Sequence, residues 1–118
     1  MCKNILVADD DIDMRGLYKR LLSGNDYAVT LAGTFGEASC LIQGNRYDLL
    51  ITDLMFPDGL GSELIRLFSG KSAAAKSLLV TGSAETEEAR NCPKPFAFFE
   101  KPFKVDTFMS TVTKALSP

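Results

Sequence analysis

The sequence predicts an α/β domain of the (βα)5 type, a parallel five-stranded sheet with helices on both faces, and three observations predict it. Short continuous apolar runs recur at Ile5-Leu6-Val7-Ala8, Leu49-Leu50-Ile51 and Leu78-Leu79-Val80. A run without polar alternation is what a strand buried on both faces looks like. Between the runs lie segments whose apolar residues recur three and four positions apart, the period of a helix. Finally, each run gives way to polar or turn-forming residues at its carboxyl end. Strand and helix alternate with no linker, repeat or low-complexity block, and right-handed crossovers close such a chain into a parallel sheet.

Taken in order, Ile5–Ala8 is the first strand and ends in the acidic turn Asp9-Asp10-Asp11. Met14, Leu17, Tyr18, Leu21 and Leu22 mark the core face of the first helix, with Asp11 or Asp13 as its cap and Gly24 or Asn25 as its stop. Ala28 to Ala32 supplies the second strand. Thr34-Phe35-Gly36-Glu37 has capping-box spacing, so a second helix carries Ala38, Leu41 and Ile42 and ends near Gly44. The third strand, Leu49-Leu50-Ile51, leads into Asp53 at its end, and Pro57, Gly59 and Gly61 enforce a turn after it. Leu64, Ile65, Leu67 and Phe68 mark a third helix closed by Gly70, and Lys71 to Lys76 is a small-residue connection.

Ser77 to Thr81 is the fourth strand. Glu85 to Asn91 has acids and alanines without an apolar stripe, so any helix there is short, and Pro93 and Pro95 forbid its extension. Ala97 to Glu100 is the fifth strand, in which alternation puts at least one of Phe98 and Phe99 in the core. Val105, Phe108, Met109, Val112 and Leu116 then repeat at helical spacing.

Composition narrows the function classes. A chain of 118 residues with 46% hydrophobic and 24% charged residues reads as one globular domain, 1–118. Thirteen basic against fifteen acidic residues give a net charge of -2, which offers no electrostatic case for nucleic acid. No apolar run is long enough for a membrane span, and Met1 to Asn4 is too short and polar for a signal peptide, so the expected location is the cytoplasm. Cys2, Cys40 and Cys92 have no metal-ligand spacing and no histidine to help them, which makes them reduced thiols.

The strand ends carry the chemistry. Asp53 alone reads equally as a carboxylate that solvates a strand end or as an acid projecting into the crevice at the carboxyl ends of an open α/β sheet. Strands one, three, four and five, however, finish in Asp9/Asp10, Asp53, Thr81 and Lys101. A parallel sheet places all these ends on one rim. Carboxylates crowded there repel by about 4 kcal/mol per close pair at an effective dielectric near 20, so cations must offset them. Lys101 is one, and a hard divalent ion with oxygen ligands is the natural other.

These residues resemble the receiver domain of bacterial two-component response regulators, over the whole chain from Ile5 to Leu116. Asp53-Leu54-Met55-Phe56-Pro57 followed by Gly61 looks like the phosphoacceptor turn, Asp9-Asp10 like the acidic pair, Thr81 like the hydroxyl switch, and Lys101-Pro102 like the lysine with its cis peptide bond. The resemblance implies a flavodoxin-like strand order of 2-1-3-4-5. It implies that Asp53 takes a phosphoryl group from a phosphohistidine on a sensor histidine kinase or histidine phosphotransferase. Asp10, Asp53 and the backbone carbonyl of Met55 would hold Mg²⁺ (or Mn²⁺), with Asp9 acting through water. Lys101, the Thr81 hydroxyl and the Gly82 amide would contact the phosphate, and Met55 and Ser83 would modulate its loss to water.

Phe98 falls at the position of the family's switch aromatic. It would turn inward as Thr81 moves, repacking the surface around helix four and strand five for a downstream protein or a fused effector domain; its other reading is plain strand core. On this resemblance the domain is a signalling module rather than an enzyme, catalysing only its own phosphoryl transfer and self-dephosphorylation. Two alternatives stand beside it: a pseudo-receiver that keeps the fold without cycling, and an aspartate-nucleophile phosphohydrolase suggested by Asp9-x-Asp11. The segment Asn91-Cys92-Pro93-Lys94-Pro95-Phe96 departs from the family's usual Gly-Ala turn. An end at Pro118 fits either a stand-alone receiver or a chain cut before an effector domain.

Overall fold

A computed structural model describes residues 2–72, 74–83 and 85–117; Met1, Ala73 and Pro118 at the predicted start, connection and end lie outside the described residues. Five strands, β1 (Lys3–Ala8), β2 (Tyr27–Ala32), β3 (Leu49–Asp53), β4 (Lys76–Thr81) and β5 (Ala97–Glu100), form one sheet in the order β2-β1-β3-β4-β5. All four pairings are parallel. The helices are α1 (Ile12–Ser23), α2 (Phe35–Gly44), α3 (Gly61–Lys71), α4 (Glu87–Arg90) and α5 (Val105–Leu116). The flavodoxin-like (βα)5 fold expected from the sequence is the fold observed.

Strand alternation divides the core into two layers. Ile5, Val7, Leu49, Ile51, Leu78 and Val80 pack with Tyr18 and Leu22 of α1 and Phe108 and Val112 of α5. Leu6, Ala8, Leu50 and Leu79 face the other way, onto Ala38 and Ile42 of α2 and Leu64, Ile65 and Phe68 of α3. Every strand residue in the centre is thus buried whichever way it points, which is why the runs carry no polar alternation.

The helix ends test the local signals one at a time. Asp11 caps α1, its Oδ1 accepting from Asp13 N at 2.9 Å, while the C-cap Gly24 keeps a helical φ of -79°. In the capping box, Thr34 Oγ1 accepts from Glu37 N at 3.0 Å, but Glu37 Oε1 reaches Gly33 N at 2.8 Å, one residue earlier than the expected Thr34 N. Gly70 does not close α3, which runs through Lys71 to a C-cap at Ser72; a glycine near a helix end costs only about 1 kcal/mol, less than tertiary packing supplies. α4 is a single turn, as the missing apolar stripe predicts.

One cross-helix contact was invisible in the sequence. Lys71 Nζ donates to the carbonyls of Ile42 at 2.7 Å, Gln43 at 3.0 Å and Asn45 at 3.3 Å, so an ammonium from α3 satisfies the orphan acceptors at the negative end of α2. We expect Lys71→Met, which keeps the stem and removes the donor, to lower stability in urea unfolding by about 1 kcal/mol.

Candidate functional site

The strand order reverses between β1 and β3, which opens a crevice at their carboxyl ends. Register fixes what lies on its rim. Ala8 sits beside Thr52, so Asp9 follows β1 level with Asp53, which closes β3; Asp53 pairs with Val80, and Thr81 with Glu100, so Thr81 and Lys101 sit at the same edge. The predicted rim is therefore assembled by backbone pairing alone.

The acids and the lysine meet there. Lys101 Nζ donates to Asp9 Oδ2 at 3.1 Å and to Asp53 Oδ2 at 3.0 Å. The other oxygens are held by backbone: Asp9 Oδ1 accepts from Asp11 N at 2.9 Å and Asp53 Oδ1 from Leu54 N at 2.7 Å. Asp10 is exposed, yet one oxygen each from Asp9, Asp10 and Asp53 lie within 4.8 Å of one another. A donor set made only of carboxylate oxygen, two of its members orientated by backbone N–H groups, suits a hard divalent cation.

Burial and charge work against each other in this cluster. Asp9 is only 1% exposed, and burial raises its pKa, with the Asp11 amide and Lys101 offsetting part of the rise. Burial pulls Lys101 down, but the hydrogen bond to Asp53 and the charges of Asp9 and Asp53 outweigh it and hold its pKa above the ordinary value. A carboxylate whose folded pKa exceeds its unfolded one binds protons more tightly when folded, so its contribution falls as pH rises from the unfolded value through the folded one. The ionised Asp9 is thus a cost at neutral pH. Asp9→Asn is expected to stabilise the metal-free protein by on the order of 1 kcal/mol at pH 7. Its advantage should shrink toward pH 4, as read by urea unfolding at both values.

The remaining predicted residues are placed around this centre. Thr81 is buried and its Oγ1 accepts from Ser83 N at 3.3 Å; Gly82 and Ser83 are exposed, and a Cβ added at Gly82 would meet open space. The Lys101–Pro102 peptide is cis. Met55 is exposed and pairs with Leu60 in a short antiparallel hairpin, Met55–Phe56 with Gly59–Leu60, where the sequence suggested only a turn. Phe99 is the core aromatic of β5, packed against Phe103 and Phe108, whereas Phe98 points to the opposite face and is 39% exposed.

Three contributors escaped the sequence reading. Arg15 Nη1 donates to the Asp9 carbonyl at 2.8 Å. Asp58, at the tip of the hairpin, accepts from Phe35 N and Gly36 N, both at 3.0 Å. Tyr18, read as a core position, lies close enough that, after burial itself, the charges of Asp9 and Asp53 raise its phenol. None had a signal, because each partner is a backbone group or charge brought near only by folding.

With this geometry in hand, comparison with known proteins is direct. Residues 5–113 match the family model described as response regulator receiver domain. The response regulator receiver protein CpdR of Brucella abortus is 29% identical over 116 residues, covering 97% of each chain. Protein PetR of Rhodobacter capsulatus is also 29% identical, but here 97% of this chain spans only 52% of the relative. Among solved structures, the response regulator protein TrrA of Thermotoga maritima, in complex with Mg²⁺-BeF, superposes with a TM-score of 0.83 at 28% identity, covering 97% of this chain and 99% of that one.

Proposed function

The chain belongs to the response regulator receiver domain family, and from that premise we propose that it is an active phosphoacceptor of a two-component phosphorelay, with Asp53 as the nucleophile. The observation that carries the reading is the Lys101 ammonium bridging Asp9 and Asp53 beside Asp10. A pseudo-receiver would have no need of all four groups.

In the proposed transfer an Asp53 carboxylate oxygen attacks the phosphorus of a phosphohistidine on a sensor histidine kinase or histidine phosphotransferase. The P–N bond breaks as the P–O bond forms, and the imidazole leaves with the electron pair. Asp9, Asp10, Asp53 and the Met55 carbonyl would hold Mg²⁺ or Mn²⁺, which when bound offsets charge on the equatorial phosphoryl oxygens. That TrrA, 28% identical, was solved in complex with Mg²⁺-BeF supports a metal at this site. Lys101 exchanges a carboxylate for the phosphoryl oxygens, and the Thr81 hydroxyl and Gly82 N–H donate to the others. Met55 and Ser83, both exposed, would tune the access of water.

Output follows from local repacking. Thr81, drawn toward the phosphoryl group, vacates space beside β5, and Phe98 is half-free to turn into it, changing the surface around α4 and β5. That surface would meet a downstream protein or a fused effector domain, the latter in keeping with a relative about twice the length of this chain. The net charge of -2 speaks against direct nucleic-acid binding by this domain, and among the described residues no helix is long and apolar enough to cross a membrane. The proposed role is signalling in the cytoplasm without turnover of an external substrate, and it rests on membership of the receiver family.

The test is direct. Incubation with acetyl phosphate and Mg²⁺ should add one phosphoryl group to the intact mass, and excess EDTA should prevent it. No adduct in either condition would overturn the proposal in favour of a pseudo-receiver, and sustained hydrolysis of phosphate esters dependent on Asp9 would favour the phosphohydrolase.

A further inference from the structure

We propose that Asp58 is a positioning residue for the metal-facing loop, its carboxylate clamping the hairpin that carries Met55 onto the first turn of α2. The inference rests on the phosphoacceptor reading above, in which the Met55 carbonyl is a metal ligand.

The contact is two-pronged. Asp58 Oδ1 accepts from Phe35 N and Oδ2 from Gly36 N, each at 3.0 Å, across 23 and 22 residues of sequence. The Gly36 and Phe35 amides hold its carboxyl below the usual carboxylate range. α2 has a local cap already, since Thr34 Oγ1 takes the Glu37 amide. The exposed Phe35 and Gly36 N–H groups could otherwise be met by water, so the larger consequence of the clamp falls on the hairpin.

Phe56 is buried in the core and anchors the hairpin's first strand, but its turn, Pro57-Asp58, is exposed. The ladder is only Met55 opposite Leu60 and Phe56 opposite Gly59, and so short a pairing is not stable alone. The Phe35 ring lies against Gly59 so closely that a Cβ there would sit 2.4 Å from the ring carbon Cγ. The Asp58 carboxylate and the Phe35 ring therefore hold one turn against the start of α2, and the ladder passes that position back to Met55. The same stretch braces the other wall of the site: Arg15, which donates to the Asp9 carbonyl, lies over Gly33, where a Cβ would be 2.9 Å from Nη1. Residues 33 to 36 thus support both the acidic turn and the Met55 loop.

Mn²⁺ binding, followed by the electron paramagnetic resonance of the free ion, tests this without reference to phosphorylation. Asp58→Ala is expected to weaken Mn²⁺ binding about 10-fold, the usual effect of removing an outer support of a metal site. Asp58→Asn, whose carbonyl oxygen keeps one of the two hydrogen bonds, should recover part of it. Gly59→Ala, which displaces the hairpin by another route, should weaken binding as well and carries the test if Asp58→Ala fails to fold. Lower stability with unchanged Mn²⁺ affinity in the folded variants would make Asp58 a mere helix cap and overturn the inference. Wild-type binding that Asp53→Asn also leaves unchanged would overturn the phosphoacceptor reading and this inference with it; binding sensitive to Asp53 but indifferent to Asp58 and Gly59 overturns this inference alone.

Discussion

Asp53→Asn should abolish the acetyl phosphate adduct completely, while Asp9→Asn and Asp10→Asn should slow its formation and leave its position unchanged. The substitution keeps shape and the Leu54 N–H contact to Oδ1, so the fold has no reason to fail. What changes is chemistry. An amide is a poor nucleophile and cannot form the acyl phosphate, and its NH₂, facing an ammonium 3.0 Å away, is a donor set against a donor. Lys101 should then pair with Asp9 alone. In the proposed roles Asp9 and Asp10 would hold the metal, so their loss should weaken metal binding by at least about 10-fold, the loss expected for an outer support, without removing the attacking oxygen. Intact mass and peptide mapping distinguish the cases. An adduct that survives Asp53→Asn at full yield, or that maps to Asp9, would sink the assignment.

How far the sequence could be read depended on whether a residue's partner was local. The three central strands were legible because residues facing either layer, Val7 and Val80 on one and Leu6 and Leu79 on the other, are all buried, and burial of that kind writes a continuous apolar run. The ends were not: β1 and β4 begin at Lys3 and Lys76, where backbone pairing continues although the side chains are charged, Lys3 exposed and Lys76 half-buried against Phe96. The rim of acids and lysine was legible through topology, since a parallel sheet brings strand ends together however far apart they are in sequence. Gly70 misled because a turn-former and a tolerated helical glycine look alike in sequence. Asp58, Arg15 and Lys71 stayed hidden because they serve backbone amides or carbonyls of other elements, and no spacing of side chains announces such a bond.

Gly61→Ala carries the largest expected loss of stability. Gly61 opens α3 directly behind Asp53, and its N–H donates to the Leu54 carbonyl at 2.7 Å. A Cβ built there would lie 1.8 Å from the carbonyl oxygen of Asp53, 2.9 Å from its carbon and 3.0 Å from Thr52 Oγ1. These are mostly backbone atoms, so no change of rotamer makes room. Thr52 Oγ1 also donates to that same carbonyl at 2.8 Å, which ties the peptide down further. Either the Asp53 peptide turns or the first turn of α3 retreats, and both move Asp53. The requirement is close approach rather than backbone freedom, because no glycine among the described residues has a positive φ. A forced shift of a packed backbone costs about 3 kcal/mol, which at a urea slope of about 1–3 kcal/mol per molar lowers the midpoint by roughly 1–3 M. Gly70 supplies the internal control: in the same helix, with nothing within 4 Å of its Cβ position, Gly70→Ala should stabilise by about 0.5–1 kcal/mol. The same methyl group is thus expected to act with opposite sign at the two ends of α3, and equal midpoints for the two variants would show that the approach of α3 to Asp53 is not what holds the site in place.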